Sequence, residues 1–187
     1  PKNNSEKDID LIVPFSLDLG VAVELTELLI MFSLRNPSVK IVIKCHPFLT
    51  IKTILNSLGK QELPPGIEVS SETNLSNLIQ HAKVMIYSGI SNVPFDGLLS
   101  GCRVFHYIEK HKFPMDRLFP FFDDYVTDFE TAEELEYNLS IRRSDSKLDP
   151  KKISKIRDML FVETTEETLT PFYKNNLNGE QVISSSS

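Results

Sequence analysis

The sequence predicts an α/β domain: a Rossmann-like three-layer sandwich with a mostly parallel sheet covered by helices on both faces. Three observations predict it. Short runs rich in β-branched residues recur between Asp10 and Tyr107, each bounded by Gly, Pro, Asn or Ser. Segments with apolar residues at helical spacing separate them. Residues able to do chemistry, above all His46, Ser88 and Ser91, fall directly after such runs, at strand-to-helix turns.

Asp10–Phe15 (DLIVPF) reads as a first buried strand, and Val21–Arg35 as a helix ended by Asn36-Pro37. Val39–Lys44 (VKIVIK) is a second strand that delivers His46 and Pro47 into a turn before a helix over Thr50–Leu58. After the Pro64-Pro65-Gly66 loop come a short strand at Ile67–Val69 and a short helix at Asn74–His81. Lys83–Tyr87 (KVMIY) is a strand, Asn92–Ser100 a helix stopped by Gly101, and Arg103–Tyr107 (RVFHY) another strand. Charge and proline make Ile108–Pro120 a loop. Asp124–Thr127 suits an edge strand, and helices are predicted over Thr131–Ile141, from Asp149-Pro150, and over Glu163–Asn175. This gives a linker over residues 1–9, a domain over 10–177 and a disordered polar tail over 178–187.

With 187 residues the chain suits one domain. Its composition is that of a water-exposed globule, 41% hydrophobic and 25% charged, and its formal net charge is −6. An acidic balance with no basic stripe argues against nucleic acid as a partner. The two cysteines, Cys45 and Cys102, form no metal or redox motif and read as free thiols in a reducing compartment. The longest uncharged apolar stretch, Leu28–Leu34, is far short of the ~20 residues that span a bilayer, and no signal-peptide pattern appears at Pro1–Asp8. The expected location is the cytoplasm.

In a parallel sheet, ligands bind outside the carboxyl ends of the strands. Five turns lie there: Ser16–Gly20, Lys44–Pro47, Ser70–Asn74, Ser88–Asn92 and Ile108–Lys112. In the second, His46 can donate to a phosphate oxygen or protonate a departing phosphate, Pro47 stiffens the turn, and Lys44 offers a second cation. In the fourth, Gly89 allows close backbone approach to a phosphate, while Ser88, Ser91 and Asn92 supply polar groups at a helix start whose free N–H groups and dipole favour an anion. Asp96, about one turn into that helix, is placed to hold ribose hydroxyls. Taken singly, each motif is also what an ordinary turn or helix cap contains. His81 and His106 fit a helix end and a satisfied sheet histidine. With His111, they show no metal-ligand spacing, so no metal site is expected. The absence of GxxxxGK[ST], GxGxxG and GxSxG patterns turns the reading away from P-loop NTPases, standard dinucleotide dehydrogenases and α/β hydrolases.

VKIVIKCHP at Val39–Pro47, followed by VMIYSGISNVPFDGLLSGCRV at Val84–Val104, resembles the nucleotide-sugar-binding C-terminal half of GT-B glycosyltransferases. It is most similar to bacterial surface-carbohydrate enzymes with a lysine-x-His-Pro motif and a downstream Ser-Ser motif: polysialyl- and Kdo-type capsule transferases and CDP-glycerol glycerophosphotransferases. The resemblance covers Asp10–Tyr107. It implies one half of a GT-B fold, with His46 and Ser91 on the donor phosphate and Asp96 on the ribose. The second serine of the motif is Asn92 here, with Ser88 as a substitute, and Pro94 falls in the first turn of the helix.

The resemblance further implies a CMP, CDP or UDP type sugar donor, no cofactor, and a glycan or lipid-linked acceptor. The acceptor would be held by an N-terminal domain that this chain does not contain, leaving the chain inactive on its own. It also implies peripheral membrane association of the longer protein. Two other functions fit the same fold: a non-catalytic interaction domain using the Ile108–Pro120 loop, and half of a sugar-nucleotide epimerase.

Overall fold

The computed structural model describes residues 7–89, 91–110 and 125–141. All of them belong to the first of two compact units, which divide between Leu148 and Asp149. The helices expected from Asp149 and over Glu163–Asn175, the 178–187 tail, His111 and nearly all of the Ile108–Pro120 loop lie outside the described residues.

Eleven elements alternate along the described chain: β1 (Ile9–Pro14), α1 (Leu19–Arg35), β2 (Ile41–Lys44), α2 (Ile51–Ser57), β3 (Ile67–Val69), α3 (Leu75–Gln80), β4 (Ala82–Ser88), α4 (Val93–Leu99), β5 (Arg103–Tyr107), β6 (Val126–Phe129) and α5 (Ala132–Ser140). The six strands form one sheet in the order β3-β2-β1-β4-β5-β6. Every pair is parallel, so the sheet is wholly rather than mostly parallel.

Strand residues in register point to the same face, so the period of two sorts the core into two layers. Leu11, Val13, Ile41, Ile43, Val84, Ile86 and Phe105 share one face with Leu25 and Leu29 of α1, Ile54 of α2 and Leu135 of α5. Met85 and Val104 lie on the other face, where α4 approaches so closely that a Cβ on Gly97 would meet both side chains. α3 packs beside α4 there. Strands buried from both sides explain why the sequence shows near-continuous apolar runs instead of alternation.

The boundaries differ from the expectation where backbone partners decide. Val39 donates its N–H to the Asn36 carbonyl (3.0 Å) and Lys40 to the Asp10 carboxylate (2.8 Å), so β2 starts only at Ile41. Ile9 donates to the His81 carbonyl (3.0 Å) and pairs with Ala82, which starts β1 one residue early and adds Ala82 to β4. The edge strand lies at Val126–Phe129, two residues beyond the predicted position, with Phe129 buried at its end. α4 ends where predicted. Gly101 takes φ +72°, and the N–H of Cys102 returns to the Gly97 carbonyl. Upstream, the Lys7 ammonium binds the Ser100 and Gly101 carbonyls at 3.3 and 3.0 Å, a cation at the negative end of α4.

Candidate functional site

The strand order reverses direction between β1 and β4, and that switch point is where an open parallel sheet leaves a crevice for ligand. Its floor is the turn after β1. Phe15 still pairs with the Lys44 carbonyl (2.9 Å), and Asp18 then caps α1, accepting from the Val21 N–H at 3.1 Å. A carboxylate therefore occupies the helix start where a glycine-rich dinucleotide fold would seat its phosphates.

On one flank is the turn after β2. Lys44 is the last strand residue, in register with Pro14, and is half-buried. His46 follows Cys45, and its Nδ1 accepts the Phe48 N–H at 3.3 Å while its carbonyl accepts the Leu49 N–H at 2.9 Å. An Nδ1 that accepts carries no proton, so the neutral ring keeps its proton on Nε2 and presents a hydrogen-bond donor. Pro47 is exposed. Thr50 closes the turn by capping α2, with the Thr53 N–H 3.2 Å from its hydroxyl. Burial pushes the Cys45 thiol up despite the neighbouring Lys44 charge, which makes it a packed thiol and not a thiolate.

The turn after β4 forms the other flank. Ser88 is the last residue of β4, in register with Tyr107 and only 4% exposed. It belongs to the strand and not, as expected, to the loop, which leaves Gly89 and Ser91 to reach the crevice. Gly89 has φ +65°, a conformation open to glycine at little cost, and the Glu109 carboxylate lies beside it. The helix start is poorer in free donors than the sequence suggests. Val93 donates to the Ser91 hydroxyl (3.1 Å), Pro94 has no N–H, and Phe95 donates to the Asn92 carbonyl (3.1 Å). Asn92 sits at the cap position but makes no side-chain cap bond, unlike Asp18, Thr50, Asn74 and Thr131 at the other four helix starts. Asp96 lies in the first turn of α4, largely exposed, and partial burial raises its carboxyl above the usual range.

Because β1 lies between β2 and β4, the two flanking turns are two strand spacings apart, about 10 Å. The structure therefore brings Lys44, His46 and Pro47 to one side of the crevice and Gly89, Ser91, Asn92 and Asp96 to the other.

Sequence reasoning assigned no role to three features of this edge. Phe48, whose N–H holds His46, is a fully presented aromatic ring. Tyr107 donates to Glu24 of α1 at 3.3 Å, and burial followed by the Glu24 charge drives its phenol far above its ordinary range. Glu109 faces Gly89. His106 is a satisfied sheet histidine as expected, stacked on Tyr87 with 4.7 Å between ring centroids and bonded through Nδ1 to Asp128 at 3.2 Å. Its partnering, across three strands in register, depends on a pairing that no local sequence signal carries. Among the described residues, no group of three His, Cys, Asp or Glu side chains is arranged to hold a metal ion, and no helix is long and apolar enough to cross a membrane.

No protein-family model matches the sequence, and no curated protein matches it either. Solved structures do match the fold. One is the GtfA/B complex, at a TM-score of 0.59 and 10% identity, covering 92% of this chain and 37% of that one. Another is TarM, at 0.58 and 14%, with 95% and 36% covered. A third is UDP-GlcNAc 2-epimerase from Methanocaldococcus jannaschii, at 0.57 and 12%, with 83% and 46% covered. The chain spans less than half the length of each. The six-stranded, all-parallel sheet flanked by helices is thus the Rossmann-like architecture of GT-B proteins, glycosyltransferases among them.

Proposed function

We propose that this chain is the donor-binding domain of a glycosyltransferase, working in bacterial surface-carbohydrate or capsule synthesis on a nucleotide-activated sugar of the CMP, CDP or UDP type. One observation carries the reading. A histidine whose Nδ1 is held by the Phe48 N–H stands on one side of the switch-point crevice, and a glycine–serine turn stands on the other.

In the proposed reaction an acceptor hydroxyl attacks the sugar carbon, its proton passing to a base on a further domain of the longer protein, and the bond from that carbon to the donor phosphate oxygen breaks. His46 donates from Nε2 to that oxygen as negative charge grows on it, with Lys44 nearby as a cation. Pro47 restricts the turn. Gly89 and Ser91 bond the remaining phosphate oxygens, with Asn92 and the strand-end Ser88 beside them. Asp96 orients the ribose, and positioning supplies the rest of the rate. None of these roles requires a divalent metal. The acceptor, a glycan or a lipid-linked glycan, would be held by a further domain of a longer protein acting in the cytoplasm at the membrane surface, and this chain would be inactive without it.

Titration calorimetry with UDP, CDP and CMP tests the proposal. At least one nucleotide binds at millimolar concentration or better, and His46→Ala weakens it about tenfold or more, as loss of a charge-assisted hydrogen bond should. Absence of binding by all three rejects the class. An epimerase half is the second reading, favoured by the fold match to UDP-GlcNAc 2-epimerase. Turnover of a UDP-sugar by the longer protein without any acceptor would select it.

A further inference from the structure

Phe48 is the most exposed large apolar side chain among the described residues, at 84% of its full accessibility, and it stands at the carboxyl edge of the sheet two positions after His46. Folding does not account for it. The residue that anchors this turn is Leu49, which immediately precedes the α2 cap and is 5% exposed, with Ile54 fully buried one turn into the helix. Phe48 instead faces solvent while tied to the proposed catalytic ring. Its N–H holds His46 Nδ1 at 3.3 Å, and its ring centroid lies 5.7 Å from the imidazole. Leu17, in the adjoining turn after β1, is also more than half exposed.

The proposed donor pose sets which part of a ligand reaches this surface. Asp96 lies on α4, on the β4 side, so in that pose the ribose and base extend that way from the phosphates. About two strand spacings away, roughly 10 Å, the His46 turn meets the end of the ligand remote from the base. That end is a carbohydrate ring, whose carbon face is apolar and flat enough to lie on an aromatic side chain.

We infer that Phe48 is a specificity-determining platform that stacks on a carbohydrate ring at the His46 side of the crevice, an inference that rests on the transferase reading. Exposure of the ring in the unliganded chain follows, because its covering partner is the sugar. Stacking also steadies the Phe48 backbone and with it the hydrogen bond that aims the imidazole, so ring recognition and His46 orientation are coupled.

The test compares wild type, Phe48→Ala and Phe48→Tyr in calorimetric titrations of the full chain, with thermal unfolding as a control for folding. Three pairs of probes are used: UDP and UDP-glucose, CDP and CDP-glucose, CMP and CMP-N-acetylneuraminate. Phe48→Ala is expected to leave affinity for the bare nucleotide within about twofold, to weaken the sugar nucleotide about fivefold, and to be rescued by Phe48→Tyr. If the stacked ring belongs to the acceptor, the fivefold loss appears instead for a free disaccharide titrated, with saturating nucleotide, into the longer protein that carries the acceptor-holding domain.

An unchanged affinity in both arms overturns the platform while leaving the transferase reading intact. Equal loss for nucleotide and sugar nucleotide overturns it too, because it places the base on Phe48. A wild-type chain that binds none of the nucleotides overturns the transferase reading and the platform together.

Discussion

The turns after β2 and β4 occupy equivalent places on either side of the switch point, yet they prepare opposite chemistry. After β2 the Thr50 hydroxyl caps the helix start, the chain is anchored by Leu49, and the turn offers side chains, Lys44, His46 and Phe48, with His46 Nδ1 held by a backbone N–H. After β4 the offer comes from the backbone and from small groups. Gly89 holds a positive φ, Asn92 leaves the cap bond unmade, and Ser91 occupies one N–H while Pro94 removes another. A capped helix frees its turn to aim a side chain, whereas an under-capped one keeps polar groups available for a ligand.

His46 and His106 draw the same contrast. His46 Nδ1 accepts from a backbone amide, which leaves the other ring nitrogen as the donor, whereas His106 Nδ1 faces the Asp128 carboxylate and its ring is stacked on Tyr87. Sequence already separates them, with His46 in a turn after a strand and His106 inside one. Their surroundings divide them into a presented donor and a strut between β4, β5 and β6.

Changing the conformational requirement at Gly89 should break the comparison most severely. Gly89→Ala places a Cβ at φ +65°, costing about 1–2 kcal/mol of stability, while the neighbouring Glu109 is far enough away to tolerate the atom. Nucleotide affinity should fall by more than the stability loss alone explains, measured by calorimetry beside thermal unfolding.

Removing one hydroxyl from each turn comes next. Thr50→Ala should cost about 1 kcal/mol of stability and leave nucleotide affinity unchanged, because its hydroxyl is bonded to both the Thr53 N–H and the Thr53 hydroxyl. Ser91→Ala should cost about the same stability and also weaken binding severalfold, by loss of a ligand group. Equal behaviour of the two variants in the binding assay would erase the proposed difference between the turns.

The smallest effect is expected at the opposite edge of the sheet. Burial alone would raise the Asp10 carboxyl, but the bond from Lys83 (2.7 Å), the Lys40 N–H and the two ammonium charges outweigh it and hold the carboxyl below its usual range. A depressed folded-state value stabilises the protein above the unfolded carboxylate range and is lost as pH falls through the folded value. Asp10→Asn should therefore lower stability by about 1 kcal/mol at pH 7, with Lys83 exposed and screened. The difference should vanish in strong acid, as urea unfolding at several pH values would reveal. Nucleotide binding should not change.

Local elements were legible where local physics decides them. The VKIVIK run, the Asn36-Pro37 stop, the Gly101 cap and the cap at Thr131 all carry their reasons within a few residues. Strand order was not legible. No short-range signal says that β1 lies between β2 and β4, and that placement separates the two motifs and puts Asp18 between them. Nor could sequence show that Asp10 takes the Lys40 N–H and delays β2, or that Ser88 is drawn into β4 by pairing with Tyr107. Sequence placed these turns along one edge, and the parallel strand order puts the turns after β1, β2 and β4 on a common edge of the sheet. Their division into two unlike flanks is a property of the folded sheet.

The most direct measurement of the central claim, that both turns serve one ligand, is an amide chemical-shift map of the isotopically labelled chain titrated with UDP, CDP and CMP. The account predicts that one of these nucleotides perturbs Lys44–Leu49 and Gly89–Asp96 together, with a common saturation curve, and leaves Asp10, Lys40 and Lys83 at the far edge unmoved. Perturbation confined to one turn, or two turns saturating at different concentrations, would contradict it.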